Sequence, residues 1–199
     1  MDNTIGEKMA STIGVDTIQN STSGTTGITI DTTGKVNTAQ SGYEEKTAAQ
    51  LNSGSWVVSN SISTLARRIT LVTNELITSA NAAIFWRVGN GGSTLSTSIY
   101  EYIEWYTSHN ANKLISDYKS GTTEMAFNSW ANTGNAMNMH IEFLRIGNHW
   151  NVSMRCFNSS GAYEMGGQGR IHNVANIDTL ILFTGSGNFT SGDAAVYWE

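Results

Sequence analysis

The stretch Met137-Asn138-Met139-His140-Ile141-Glu142-Phe143-Leu144-Arg145-Ile146, followed by Gly147-Asn148 and then His149-Trp150-Asn151-Val152-Ser153-Met154-Arg155-Cys156-Phe157, decides the fold class of this chain. In both arms apolar and polar residues alternate with a period of two, the spacing of a strand that buries one face. Gly147-Asn148 is a two-residue hairpin loop, and glycine at its first position suits a type II′ turn. Pairing Ile146 with His149 sets every other pair. Met139, Ile141 and Phe143 then share a face with Cys156, Met154 and Val152, with Arg145 beside Trp150 at the turn. His140, Glu142, Asn151, Ser153 and Arg155 share the opposite face, where Leu144 is an apolar exception. One dry face and one wet face is what an antiparallel sheet packed on a single side requires.

Working outward, the same grammar recurs at residues 55–65, 67–76, 82–88, 97–106, 113–118, 122–130, 177–184 and 194–198. Gly89-Asn90-Gly91-Gly92 and Gly166-Gly167-Gln168-Gly169 read as the turns that punctuate these runs. Eight to ten short strands predict an all-β chain, a jelly-roll-like two-sheet sandwich over residues 55–199. The chain contains no proline. Without that device for blunting edge strands, the edges are expected to be covered by neighbouring subunits.

Toward the N-terminus the composition changes. All nineteen aromatic residues lie at Tyr43 or beyond, and 23 of the first 42 residues are Ser, Thr, Asn or Gly, so residues 1–42 cannot build a core alone. Either they form a disordered tail, or they form an extended arm that orders against partner subunits. Residues 27–36 support the arm, because Gly27-Ile28-Thr29-Ile30 reads as a short strand leading into a turn, with a weaker echo at residues 14–18. Residues 43–54 contain helix-forming side chains behind a capping Ser41, which predicts one short helix leading into the sandwich.

Charged residues make up only 14% of the chain, whereas Ser, Thr and Asn number 66, so the surface is neutral and hydroxylated. With a net charge of −5, it is a poor match for nucleic acid, which needs clustered Lys and Arg. The single Cys156 excludes an intramolecular disulfide framework. No window of eighteen apolar residues predicts membrane insertion, and Met1–Thr12 does not read as a secretion signal, so assembly in a reducing cytoplasm is expected.

No residue pattern points to catalysis, a metal or a cofactor. In the hairpin register Cys156 lies on the apolar face, where a thiol is inert. His109, His140, His149 and His172 lack metal-ligand spacing. Glu101 and Glu104 fall on opposite faces of their strand, and Gly89–Ser93 lacks the lysine and helix of a phosphate-binding loop. The Asn-initiated glycosylation triplets at 151, 158 and 188 are expected by chance in so Asn- and Ser-rich a chain. One candidate binding site remains. Tyr100, Tyr102 and Tyr106 share a strand parity with Glu104, while Ile99, Ile103 and Trp105 share the other with Glu101. If the isoleucine face is the core, the three tyrosines form an exposed ladder, either in a subunit interface or as a platform for glycans; otherwise they line a second core face.

The last third carries a resemblance. Trp150-Asn151-Val152-Ser153, the glycines 166, 167 and 169, the run Ile177-Asp178-Thr179-Leu180-Ile181-Leu182-Phe183-Thr184 and the ending Gly187-Asn188-Phe189-Thr190-Ser191-Gly192 with Tyr197 resemble the C-terminal domains of tailed-bacteriophage fibre, knob and head-fibre proteins. In those domains a W-x-V-S strand precedes a glycine-rich loop, an aspartate-bearing strand and a terminal hairpin. Met154 departs from the pattern, standing where glycine is frequent. The likeness covers about fifty C-terminal residues and ten near the start. It implies a virion structural protein of fibre, knob or capsid-decorating type, a homotrimer made in the host cytoplasm. Residues 1–42 would contact other virion proteins, and the sandwich would contribute to particle cohesion or bind host-surface glycans. The alternatives are a carbohydrate-binding module attached to no particle, and a glycan-cleaving tailspike-like enzyme, which needs convergent acids.

Overall fold

The computed structural model describes residues 17–19, 26–30, 36–38, 41–47, 55–91, 93–108, 113–131, 136–158 and 163–199. The chain forms two compact units, Met1–Ala39 and Gln40–Glu199. In the first, β1 (Thr17–Gln19), β2 (Thr26–Ile30) and β3 (Val36–Thr38) make a three-stranded antiparallel sheet in sequence order, with Ile18 opposite Ile28 and Ile30 opposite Val36. The strand read at residues 28–30 is part of β2.

Among the described residues, the second unit is a sandwich of thirteen strands. They are β4 (Gly42–Thr47), β5 (Ser55–Ser59), β6 (Arg68–Thr78), β7 (Ala82–Asn90), β8 (Ser93–Thr94), β9 (Tyr100–Ser108), β10 (Lys113–Thr122), β11 (Met125–Ala131), β12 (Met137–Ile146), β13 (His149–Asn158), β14 (Tyr163–Ile171), β15 (Thr179–Thr184) and β16 (Phe189–Trp198). An eight-stranded antiparallel sheet in the order β10-β9-β14-β13-β12-β6-β16-β4 packs on a five-stranded one in the order β11-β7-β15-β5, with β8 paired to β7. From β4 to β7 the chain switches sheet at every step, so the two layers are interleaved along this part of the sequence.

The hairpin that opened the reading is β12–β13, with Ile146 opposite His149 and Met139 opposite Cys156. Gly147 has φ 61°, as the type II′ turn demands. Met139, Ile141, Phe143, Val152, Met154 and Cys156 are all buried, whereas His140, Asn151, Ser153 and Arg155 are exposed and Leu144 stays 43% exposed. The core between the layers also takes Ile69 and Leu71 from β6 and Ile84, Trp86 and Val88 from β7. Trp86 meets Phe143 edge-on at 5.0 Å and Tyr100 at 6.1 Å, tying the two sheets through aromatic contacts.

Three expectations are corrected. Residues 42–47 are strand β4, not the start of a helix, and 48–54 lie outside the described residues. Helix propensity differs by only about 0.7 kcal/mol per residue among ordinary side chains. Pairing β4 to β16, with Tyr43 opposite Tyr197 and Trp198 opposite Gly42, outweighs it. The half-buried face of this edge strand carries Glu44 and Lys46 as an ion pair at 2.9 Å, and inward charges of this kind deter further strand addition.

The second correction concerns Gly166-Gly167-Gln168-Gly169, which lies within β14, between β9 and β13, and is not a turn. A Cβ on Gly166 would stand 2.4 Å from the Trp105 indole, and one on Gly169 would stand 2.3 Å from Met125 Cε and 2.5 Å from the Glu101 carbonyl. The glycines are where neighbouring side chains and backbone close over the strand. The third is the terminal hairpin implied by the resemblance. β15 and β16 belong to different sheets, so residues 185–188 form a crossing between layers.

Candidate functional site

In strand β9 the even-numbered face is the core. Tyr100 is fully buried and Tyr102 is 5% exposed, so the ladder expected at Tyr100, Tyr102 and Tyr106 is corrected at its first two positions; the Tyr106 side chain lies outside the described residues. The physical reason is that a tyrosine tip can be satisfied inside. The Tyr100 hydroxyl donates to the Leu95 carbonyl at 2.9 Å and accepts from the Val88 N–H at 3.0 Å, so the ring reaches across the sandwich to β7. Burial pushes both the Tyr100 and Tyr102 hydroxyls up to about 12. Ile103, on the face taken for core, is 42% exposed. Glu104 is buried and Glu101 faces out, so the two acids do lie on opposite faces.

The outer face of the eight-stranded sheet is organised by register into cross-strand rows. One row runs Tyr118, Ile103, Gln168, Ser153, Glu142, Thr70, Tyr197 and Tyr43, one residue from each strand. From Tyr118 to Tyr197 are six strand spacings, roughly 29 Å. The adjacent row runs Ser120, Glu101, Arg170, Asn151, Leu144 and Arg68. Along the two rows lies an open trough of about 690 Å³, lined in the middle by Gln168, Ser153, Asn151 and Arg170, at one end by Tyr118 and Ile103 and at the other by Leu144 and Glu142. On β13 the outward side chains here are the short Asn151 and Ser153, and on β14 they are Gln168 and Arg170.

The exposed aromatic that lines the trough is Tyr118, 58% exposed. Its hydroxyl donates to Glu101, and the other carboxylate oxygen of Glu101 meets His172 Nε2 at 2.8 Å. The Tyr118 hydrogen bond first, and then that of His172, holds the Glu101 carboxyl below the usual carboxylate range; the same bond raises the Tyr118 hydroxyl. Across the trough Arg68 bridges Glu142 and Glu199, each at 2.8 Å. Beyond it the Tyr43 and Tyr197 rings lie 4.8 Å apart and tilted by 37°, both residues more than 40% exposed. The trough carboxylates, Glu101 on β9 and Glu142 on β12, are three strands apart, about 14 Å by strand spacing alone.

Sequence reasoning passed over Tyr118 because its value lies in a pairing. Only the β9–β10 register, which sets Tyr118 opposite Ile103 and lets its hydroxyl reach Glu101, makes it a platform. The available signal was the alternation of residues 113–118 in the run after Thr97–Tyr106. The other sequence candidates stay apart. Cys156 is buried beside Met137, with its thiol pushed up by burial. His149 and His172 meet edge-on at 5.6 Å, His140 is exposed further along the sheet, and His109 lies outside the described residues. Among the described residues no group of three His, Cys, Asp or Glu side chains is placed to hold a metal ion. Asp178 is structural: its carboxylate accepts from the Gly91 N–H at 2.6 Å and pins the turn between β7 and β8. No helix among the described residues is long and apolar enough to cross a membrane. No protein-family model and no curated protein matches the chain.

Proposed function

We propose that this chain is a non-catalytic surface protein of a tailed-bacteriophage virion, of the fibre, knob or capsid-decorating kind, whose sandwich adheres and whose N-terminal unit attaches it to the particle. The observation that carries the reading is the outer face of the eight-stranded sheet: a wide, wet surface of hydroxyls and amides with paired charges, on a fold that needs no metal or disulfide. The likeness of the last fifty residues to phage fibre ends points the same way. The separation of Glu101 and Glu142 agrees with binding without cleavage, because a glycosidase sets its two carboxylates about 5 to 9.5 Å apart.

Self-association into a homotrimer is part of the proposal. Leu65 and Ile146 are 56% and 55% exposed at one end of the sandwich, where Arg145 hydrogen-bonds the Thr64 carbonyl, and closed symmetry would cover them. Light scattering of the full 21.5 kDa chain is expected to give about three subunit masses, with a melting temperature that rises with protein concentration. Ile146→Lys is expected to shift the mass toward the monomer while the sandwich still melts cooperatively. A monomer at micromolar concentration with a dilution-independent melt overturns the trimer. The trough then favours the second reading, a carbohydrate-binding module attached to no particle.

A further inference from the structure

We infer that the trough on the outer face of the eight-stranded sheet is a binding site for a linear, uncharged oligosaccharide, with Tyr118 as its stacking platform. The inference deepens the adhesion reading and rests on it only in taking the sheet face as the adhesive surface.

Four features select this ligand class. Tyr118 is more than half exposed, yet its hydroxyl is tethered to Glu101, so the ring's orientation is set before anything binds. A pre-oriented aromatic face flanked by the exposed Ile103 offers apolar area of the kind that the C–H face of a sugar covers, at little entropic cost. Next to it along the row, Gln168 and Ser153 are exposed, and Asn151 stands exposed in the row beside them. Side-chain amides and hydroxyls both donate and accept, which matches sugar hydroxyls without regard to charge.

The charges decide between neutral and acidic ligands. Two carboxylates, Glu101 and Glu142, and one guanidinium group, Arg170, line the trough, and the Arg68 that pairs with Glu142 is shared with Glu199, so the trough holds no excess of positive charge, and the whole chain carries −5. An anionic glycan or a nucleic acid would meet no excess of positive charge. A second copy of the chain is the other occupant such a face could have, but the buried centre of a protein interface is depleted in charged residues. Here the charged side chains stand within the trough itself. The shape fixes linearity: the trough crosses five neighbouring strands, from Tyr118 on β10 to Glu142 on β12, roughly 19 Å, while along each strand it takes at most three residues.

The test uses the full chain on an array of linear hexasaccharides: β-1,4-glucan, β-1,3-glucan, α-1,4-glucan, β-1,4-mannan and β-1,4-linked N-acetylglucosamine, beside a polyuronate and a duplex DNA. Calorimetry then follows on the best binder. Binding to at least one neutral chain is expected, with none to the polyuronate or DNA. Tyr118→Ala is expected to weaken it about tenfold, the scale of one lost ring contact, and Tyr118→Phe less. Ser153→Trp, which fills the floor from an exposed position, is expected to abolish binding while the thermal melt stays within a few degrees of the parent. Failure to bind all five neutral chains, preference for the polyuronate or DNA, or binding indifferent to Tyr118→Ala and Ser153→Trp overturns the inference. So does a loss of oligomer mass on Ser153→Trp, which makes the trough a contact between copies. Glycan binding by a monomer keeps this inference while removing the trimeric reading, so the two failures are distinguishable.

Discussion

Strands β12–β13 and strands β9–β14 are both long antiparallel pairs of the same sheet, and both keep an unbroken register. They reach it by opposite means. In β12–β13 each strand supplies its own core side chains, so alternation along the chain mirrors the structure. In β14 the inward positions between the buried Met165 and Ile171 are Gly167 and Gly169, and the space above these glycines is taken by Met154 of β13, Met125 of β11 and Tyr102 of β9. On the other face Trp105 lies over Gly166, its direct cross-strand partner; at the far edge, on the core side, Trp198 lies over its partner Gly42 in the same way. A glycine strand in a sheet interior is thus held by its neighbours' side chains, and it is as rigidly specified as a strand with side chains of its own.

The largest effect belongs to the self-sufficient pair. Phe143→Ala removes a fully buried ring packed edge-on against Trp86 and is expected to cost about 3 to 5 kcal/mol in denaturant unfolding. A cost near zero there would mean that the two pairs do not differ in how they are filled. Next comes the borrowed packing: Gly169→Ala is expected to destabilise by roughly 1 to 3 kcal/mol, because its new methyl meets the Glu101 carbonyl, which cannot move aside. Gly167→Ala should cost less, since its tightest neighbour is the flexible end of Met154 and the Ile103 carbonyl is 3.0 Å away. The reverse order would break the account of β14 as a strand closed over by backbone.

Tyr100→Phe keeps the ring in β9 but leaves the buried Val88 N–H without its acceptor, for a cost of about 1 to 2 kcal/mol. This position also sharpens the comparison by pH. The folded hydroxyls of Tyr100 and Tyr102 sit at about 12 against an ordinary 10.0, so their protonated forms favour the fold fully below pH 10. That contribution falls away as pH rises from 10 toward 12, and alkaline unfolding should follow; in Tyr100→Phe the slope of stability against pH over that window should be shallower. Smallest of all, Ser153→Ala on the wet face of β13 is expected to stay within about 0.5 kcal/mol.

What was legible in the sequence follows the same division. The β12–β13 register, its turn and both its faces could be written down from residues 137–157, since a two-residue loop leaves no freedom in pairing. Strand β14 was not legible, because glycine carries no face and its partners' bulk appears only when Trp105, Met125 and Met154 are brought over it from elsewhere in the chain. Strand β4 failed differently: Tyr43–Thr47 has weak helical preference, and its pairing partner lies at the other end of the sequence. For the site, parity alone could separate Tyr100 and Tyr102 from Ile103 but not say which set faces in. That choice rests on the Tyr100 hydroxyl finding Leu95 and Val88, contacts that exist only between the two layers.

The place of β16 in the sheet has a consequence in time. Because β16 stands between β6 and β4, the edge strand Gly42–Thr47 has no partner until Phe189–Trp198 exists, about 140 residues later, which at ribosomal speed is roughly 7 to 30 seconds. Pairings so distant in sequence make for slow folding, on the scale of milliseconds to seconds even once the chain is whole. During that wait Glu44, Glu45 and Lys46 keep a bare strand from joining the wrong neighbour, so the charges that end the finished sheet also guard it while it is still incomplete.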